Sequence, residues 1–345
     1  MKTDIKSLSF DELVALVNAL DLPKYRAGQL FSWLHKFGVT DFSQMANIPK
    51  SIRSVLAERY YISGCSIEEK YVSRIDSTVK YLFRLHDGEY IESVIMKYKY
   101  GYTICVSSQV GCKMGCRFCA STLAGFKRNL TAGEIEGQIH AAQADLNIRI
   151  SHIVLMGIGE PLDNFDNVIR FIENVNNDNG LNISARNITL STCGIVPKIK
   201  ALMQLNLQIT LTISLHAPND EIRSRTMPVN EKYGVHELIA VCREYALRTS
   251  RRVSFEYTLI KEVNDSRECA EELSELIKGM LCHVNLIPVN NVDERNNIRS
   301  TDESVNNFLQ ILQKNGINAT IRRTLGSDIN ASCGQLRRKR SEVAQ

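Results

Sequence analysis

The chain has 345 residues, 44% of them hydrophobic and 23% charged, with a formal net charge of +4. This is globular composition, long enough for one large core plus a small accessory unit, and it excludes a disordered or low-complexity polymer. No run approaches the ~20 apolar residues of a membrane-spanning helix, and the polar start Met1-Lys2-Thr3-Asp4 is not followed by the apolar stretch of a secretion signal. A cytoplasmic location is expected, a compartment where structural disulfides are rare, so the ten cysteines call for another explanation.

Residues 1–62 read as a small helical unit. Ser9 and Glu12 have the spacing of a capping box, and Leu13, Leu16, Val17 and Leu20 follow at helical intervals until Pro23. A second helix takes Ala27, Leu30, Phe31 and Leu34 and stops near Gly38. A third starts at Pro49, with Ile52, Val55 and Leu56 inward. Residues 63–100 form an extension containing a predicted hairpin, Val79–Leu85 and Tyr90–Met96 around an Asp87-Gly88 turn. The remainder, 101–345, alternates strand and helix. Predicted strands are Ile104–Ser107, Ile153–Met156, Ile188–Ser191, Thr210–Leu215, Val253–Leu259 and Val284–Pro288, with another near Ala319–Arg322. Helices are predicted at Ala132–Leu146, Phe165–Val175, Pro197–Leu205, Val235–Leu247, Arg267–Ile277 and Asp302–Lys314. Six βα units are too few for a closed eight-stranded barrel. The expected fold is α/β: a partial (βα)6 barrel, open at one side, whose active residues lie at the C-terminal strand ends.

Charge is unevenly placed. No acidic residue lies between Glu92 and Glu134, a stretch holding Lys97, Lys99, Lys113, Arg117, Lys127 and Arg128. The C-terminal segment carries Arg322, Arg323, Arg337, Arg338, Lys339 and Arg340, with Asp328 the one acid among them. Two basic segments around a reactive site suit a polyphosphate substrate.

The sharpest motif is Gly111-Cys112-Lys113-Met114-Gly115-Cys116-Arg117-Phe118-Cys119, a C-x3-C-x2-C run just after the first βα strand. Three thiolates on one tight loop can hold three irons of a cubane whose usual ligand count is four cysteines, leaving one iron open. Zinc is the competing reading, with Cys105, Cys333 or His140 as fourth ligand, but zinc cysteines usually come in two spaced pairs. Downstream, Met156-Gly157-Ile158-Gly159-Glu160-Pro161 ends the second strand. Ser191, Ser214-Leu215-His216 and Asn290 follow the third, fourth and sixth.

This pattern resembles the radical S-adenosylmethionine (SAM) superfamily. The resemblance implies a [4Fe-4S] cluster on Cys112, Cys116 and Cys119 and a SAM site built from Gly159, Glu160, Ser191, Ser214, Leu215, His216 and Asn290. Further segments, Cys105-Val106-Ser107-Ser108-Gln109, Ser214-Leu215-His216-Ala217-Pro218-Asn219-Asp220 and Cys333-Gly334-Gln335-Leu336, are similar to one subgroup. Its members are the RNA adenine methyltransferases that act at C2 (RlmN type) and their C8 relatives (Cfr type), which give ribosomal antibiotic resistance. That similarity implies two SAM per turnover. One methylates Cys333, and the other yields the 5′-deoxyadenosyl radical that takes hydrogen from the S-methyl group. The carbon radical then adds to adenine, Glu92 (or Cys105) takes the ring proton, and Cys105 releases the RNA through a transient disulfide with Cys333. It also implies 23S rRNA at the peptidyl transferase centre and a tRNA anticodon loop as substrates, a flavodoxin or ferredoxin as electron donor, and a monomer with no membrane partner. Ala120-Ser121-Thr122 after the last cluster cysteine favours the C2 group, and Ser332 stands where alanine is common. A reading of another class, a non-catalytic metal-bearing RNA-binding protein, has no use for Cys333, Cys105 and Glu160 together.

Overall fold

The computed structural model describes residues 2–336, apart from 291, 293, 295 and 296. The basic group Arg337–Arg340 therefore lies outside the described residues.

In the N-terminal unit, β1 (Thr3–Asp4) pairs in parallel with β2 (Tyr60–Tyr61), bringing the ends of the segment together. Between them lie α1 (Phe10–Ala19), α2 (Tyr25–Phe31), continued by a π turn over Ser32–Lys36, and α3 (Lys50–Arg59). The capping box forms: Glu12 N–H donates to the Ser9 hydroxyl and Ser9 N–H to the Glu12 carboxylate. Ile5, Leu13, Val17, Leu30, Phe31, Leu34 and Leu56 close a core separate from the main one. Val55, expected inward, stays half-buried.

The main body is built on one ten-stranded sheet. Its N-terminal part is an antiparallel meander of β3 (Ser66–Val72), β4 (Val79–Arg84), β5 (Tyr90–Tyr98) and β6 (Gly101–Cys105). A small pair, β7 (Gln109–Val110) and β8 (Arg128–Asn129), lies outside the sheet. Then β9 (Ile150–Leu155), β10 (Ile188–Thr192), β11 (Thr210–Ser214), β12 (Val253–Leu259), β13 (Cys282–Pro288) and β14 (Ala319–Ile321) add in parallel to β6 in sequence order. The ladder ends at β3 on one side and β14 on the other, so the barrel is open. All seven residues of β12 are buried: Val253, Phe255, Tyr257 and Leu259 face the core under the helices, and Glu256 and Thr258 face the cavity inside the barrel. The covering helices are α4 (Ala132–Leu146), α5 (Phe165–Asn176), α6 (Val196–Gln204), α7 (Asp220–Thr226), α8 (Val235–Thr249), α9 (Arg267–Ile277) and α10 (Asp302–Lys314).

Besides the two-residue strands β1, β2, β7 and β8, two elements escaped the sequence pattern. β3 is an edge strand rich in Glu and Lys, so it has no apolar alternation to read. The short α7 is set by its cap, where Asn219 accepts from Ile222 N–H at 3.0 Å.

The N-terminal unit sits on the start of α4 through polar contacts. The Thr131 hydroxyl, at the cap of α4, donates to Asp4 at 2.9 Å, and Gly133 N–H donates to the Ser7 hydroxyl at 3.0 Å. Deeper in the interface the fully buried Glu136 bonds His35 at 2.7 Å and His140 at 2.9 Å.

Candidate active site

The cysteine run folds as a loop that leaves β7 and ends in a short 3-10 turn at Ala120–Thr122. Gly111 has φ +76°, and a side-chain carbon there would come within 1.7 Å of the Gly125 carbonyl oxygen, so only glycine lets the loop double back. Cys112, Cys116 and Cys119 line one wall of a cavity of about 970 Å³, counting its open mouth, at the C-terminal ends of the parallel strands. A cluster and a nucleoside-sized ligand fit a cleft of that scale. Burial pushes the Cys112 thiol up to about 12 and raises that of Cys116 further, with the neighbouring cysteines adding to both. Bare thiols here hold their protons, and iron binding displaces them.

Facing the loop are the strand-end residues. Gly159, with φ +110°, packs against Gln109, where a side-chain carbon would meet the Gln109 side chain at 2.6 Å. Glu160 is 3% exposed, and burial raises its carboxyl. Leu162 N–H donates to one of its oxygens (3.0 Å) and Cys193 N–H to the other (2.7 Å), which fixes the carboxyl plane at the cavity wall and leaves further lone pairs for a cationic ligand group. Ser191, Ser214, His216 and Asn290 also line the cavity. Burial, then the charge of Arg223, pushes His216 down to about 3, so its imidazole is neutral at physiological pH. Thr258 N–H donates to its Nδ1 at 2.9 Å, which places the ring proton on Nε2. Phe118 of the cysteine loop meets the same ring edge-on at 4.8 Å. Leu215 does not line the cavity: its side chain is fully buried, and its carbonyl accepts from Arg223 Nε at 3.0 Å. Position in the chain put it at the strand end, but strand alternation turns it into the core.

The lone cysteines come together from opposite ends of the body. The Cys333 turn is fixed to the cluster loop by Ala120 N–H donating to Gly334 O (2.7 Å) and by the Ser121 hydroxyl donating to Leu336 O (2.9 Å). Asn290 Nδ2 donates to Cys333 O at 3.0 Å. Ser332 fits without conflict, its hydroxyl donating to Leu325 O at 2.8 Å. Cys333 is exposed at the cavity. Cys105 is buried behind it, in a small apolar group with Val94, Ile158, Ala331 and Leu336, and both are thiols. Burial, then the charge of Cys333, raises the Cys105 thiol to about 12.

Glu92 is buried on β5 rather than displayed on an exposed hairpin. It pairs with Lys80 at 3.3 Å, and Lys80 also donates to Asn330 O at 3.4 Å, near the Cys333 turn.

Sequence reasoning gave Arg223 no role and read Arg322 only as part of a basic segment. Arg322 lines the cavity, pairs with Glu256 at 3.1 Å and has its pKa raised above the usual value by Cys333 first and by Glu256 and Cys105 after it. Arg223, fully buried, ties together the carbonyls of Leu215, Cys193 and Ser214 beneath the site. Neither carries a spacing signal. Conversely, Arg128, expected to grip phosphate, is held by Glu134 at 2.8 Å and Asp87 at 2.7 Å, and Lys127 lies 3.8 Å from Glu89. Acids just outside both borders of this stretch fold back onto it. His140, weighed as a zinc ligand, is bonded to Glu136 in the N-terminal interface.

The whole chain has relatives. Residues 106–277 match the model of the radical SAM superfamily, and residues 3–62 match that of the ribosomal RNA large subunit methyltransferase N-terminal domain. A protein of Clostridium tetani named "Probable dual-specificity RNA methyltransferase RlmN" is 56% identical over 336 residues, covering 97% of this chain and 96% of its own. The chain belongs to the RlmN family of radical SAM RNA methyltransferases. A second relative of the same name, from Alkaliphilus oremlandii, is 55% identical over 98% of both chains. The crystal structure of a radical SAM methyltransferase from Sphaerobacter thermophilus superposes with a TM-score of 0.92 at 43% identity, covering 98% of this chain and all of that one. Membership makes this a SAM-dependent enzyme with an RNA substrate and a [4Fe-4S] cluster. The donor set fits that cluster: three cysteines within eight residues, on one cavity wall beside the strand-end glycines and Glu160. No described helix is long and apolar enough to cross a membrane.

Proposed function

We propose that the enzyme methylates C2 of an adenine in 23S rRNA, at the peptidyl transferase centre, and of an adenine in a tRNA anticodon loop, using two SAM molecules per turnover. The observation that carries this reading is the meeting of two remote cysteines at one wall: Cys333 at the cavity, on a turn bonded to the cluster loop, and Cys105 directly behind that turn. A metal-bearing RNA-binding protein needs neither.

Cys112, Cys116 and Cys119 would hold the cluster, which when bound would supply the electron for reductive cleavage of SAM. Glu160 and the neutral His216 bind and orient the SAM methionine and nucleoside groups, with Gly159, Ser191, Ser214 and Asn290 around them. Cys333 accepts a methyl group on sulfur and, once that group has lost a hydrogen atom, presents the carbon to the electrophilic ring. Glu92 takes the ring proton after an electron has left. Its ion pair with Lys80 places a carboxylate on the face of β5 that Cys105 adjoins, whereas burial keeps the Cys105 thiol protonated at neutral pH. Cys105 then attacks the Cys333 sulfur. A sulfur–sulfur bond forms, the sulfur–carbon bond breaks, and the carbon takes up a proton to leave as the methyl group of the product. Arg322, paired with Glu256 at the cavity wall, sets a positive charge near Cys333 and Cys105, which favours the Cys105 thiolate that attacks.

Residues 1–62 serve as an RNA-contacting accessory unit, 63–100 as an extension of the catalytic sheet and 101–345 as the catalytic core. A monomer working in the cytoplasm with flavodoxin or ferredoxin as reductant completes the reading. Its test is anaerobic turnover of cluster-loaded enzyme with labelled SAM and 23S rRNA, followed by digestion and chromatography. 2-Methyladenosine is the expected product. 8-Methyladenosine would make it a Cfr-type enzyme, and no methylated base would overturn the assignment.

A further inference from the structure

The turn between β5 and β6 carries an aromatic group that the chemistry above leaves unused. Tyr98, at the end of β5, stands opposite Gly101 at the start of β6. The Tyr98 and Tyr100 rings stack nearly parallel, with centroids 5.0 Å apart and planes 8° from each other. His152 meets Tyr100 edge-on at 4.6 Å and is bonded to the Ser151 hydroxyl at 2.9 Å, while the Tyr98 hydroxyl contacts Met96 Sδ at 3.6 Å. Despite this support Tyr100 is 61% exposed. Single exposed aromatics are ordinary. An ordered pair of rings, braced from behind with one face open, is built to receive a third ring.

Its location says which ring. Side chains alternate along a strand, so Glu92, Val94, Met96 and Tyr98 share one face of β5. Val94 stands opposite Cys105 in the ladder, and Met96 packs on the group that contains Cys105, Ala331 and Leu336. Four residues of strand, roughly 13 Å, separate the level of Cys105 from Tyr98. Burial and then Tyr100 raise the Tyr98 phenol, and Arg322, Cys333 and Arg323 also act on it. The platform thus lies at the start of β6, outside the cavity lining itself, and adjoins the group of Cys105, Ala331 and Leu336 through Met96, whose sulfur the Tyr98 hydroxyl contacts. Lys97 and Lys99, both exposed, alternate with the two tyrosines, so Lys97 leaves β5 on the opposite face, over the Tyr102 ring at 5.9 Å, and no acidic residue interrupts the segment.

We infer that Tyr98 and Tyr100 form a stacking platform for one unpaired base beside the target adenine, with Lys97 and Lys99 against the flanking phosphates. Extruding an adenine from folded RNA removes stacking from its neighbour, and a fixed aromatic face replaces it. Such stacking accepts any base and is lost on truncation to alanine, with a weakening of binding of roughly 10-fold or more.

This inference rests on the reading of the chain as an RNA methyltransferase, and its test separates the two. Tyr100→Ala, Tyr100→Phe and the double variant Lys97→Gln/Lys99→Gln are compared with the wild type for single-turnover methylation of an rRNA fragment and for Cys333 methylation by SAM without RNA. Binding of fragments with 2-aminopurine next to the target adenine reports stacking directly. Tyr100→Ala should raise the KM for RNA about 10-fold and abolish the 2-aminopurine quench, with Cys333 methylation unchanged. Tyr100→Phe should stay within about twofold on every readout. The lysine variant should lower the salt dependence of binding by about two phosphate contacts. An unchanged KM and quench in Tyr100→Ala, with normal wild-type turnover, would overturn the platform alone. A wild-type enzyme that methylates no RNA would overturn the parent reading.

Discussion

At the residue scale the site depends on sulfur atoms in unequal surroundings. Cys333 is exposed and Cys105 is buried, with a thiol raised to about 12. Attack by Cys105 requires its thiolate, whose fraction grows about tenfold per pH unit below that value. Single-turnover assays should show release of RNA from the Cys333 adduct accelerating from pH 7 to 9, and Cys105→Ala should leave the adduct intact on denaturing gels. Arg322 deserves its own variant. Arg322→Met leaves the buried Glu256 without its cationic partner and removes the positive group beside the two sulfurs. Because Arg322 is itself partly exposed, losing it costs about 1–2 kcal/mol rather than the full value for a buried pair, so the melting temperature should fall and adduct release should slow, with less of both effects in Arg322→Lys. The cysteine triplet was legible because all three residues are local, within eight positions. Arg322 and Arg223 were not, since a lone arginine acquires its partners only when distant strand ends are brought together.

At the element scale, boundaries followed hydrophobic period and caps closely. Ala132–Leu146, Arg267–Ile277 and Asp302–Lys314 form with the predicted bounds, and the structure caps them with Thr131, Ser266 and Thr301. Periodicity fails where burial and chemistry diverge. β3 is charged and α7 has only seven residues, while Leu215 turns inward at a strand end that is otherwise polar. The seam between the N-terminal unit and α4 had no sequence signature, because its His35, Glu136 and His140 come from two separate elements. That seam should be acid-labile. Burial, then Lys6, lowers His140 to about 4, so between about pH 6.5 and 4 the unfolded chain takes up a proton that the folded chain refuses. Stability in this window therefore falls as pH falls. Although burial opposes it, His35, His140 and Lys6 hold the Glu136 carboxyl well below the usual range, and its contribution is lost on further acidification. Thermal melts from pH 7 to 4 should show the decline, with a shallower slope in His140→Gln. A side-chain carbon at Gly38, where φ is +63°, would come within 2.3 Å of the His140 ring, so Gly38→Ala should destabilise the protein by about 1–3 kcal/mol in denaturant melts.

For the molecule as a whole, the open sheet brings together parts far apart in sequence. The cysteine loop leaves β7, Gly159 and Glu160 follow β9, Ser191 and Ser214 lie at the ends of β10 and β11, Asn290 follows β13, and the Cys333 turn follows the last strand, β14, yet all reach one cavity. The alternation of strand and helix made this architecture legible, including its openness. The approach of Cys333 to Cys105 across more than two hundred residues was available only from family resemblance, since no local spacing encodes it. Carbon and hydrogen bookkeeping through these two cysteines gives the most direct test. The enzyme would be turned over anaerobically with RNA and SAM bearing a trideuterated methyl group, and the methyl of the modified adenine analysed by mass spectrometry. Passage through the Cys333 S-methyl group removes one deuterium and restores one solvent proton, so the expected product carries two deuterium atoms and 5′-deoxyadenosine carries one. A product methyl retaining all three would mean direct transfer from SAM to the base and would contradict the two-cysteine route.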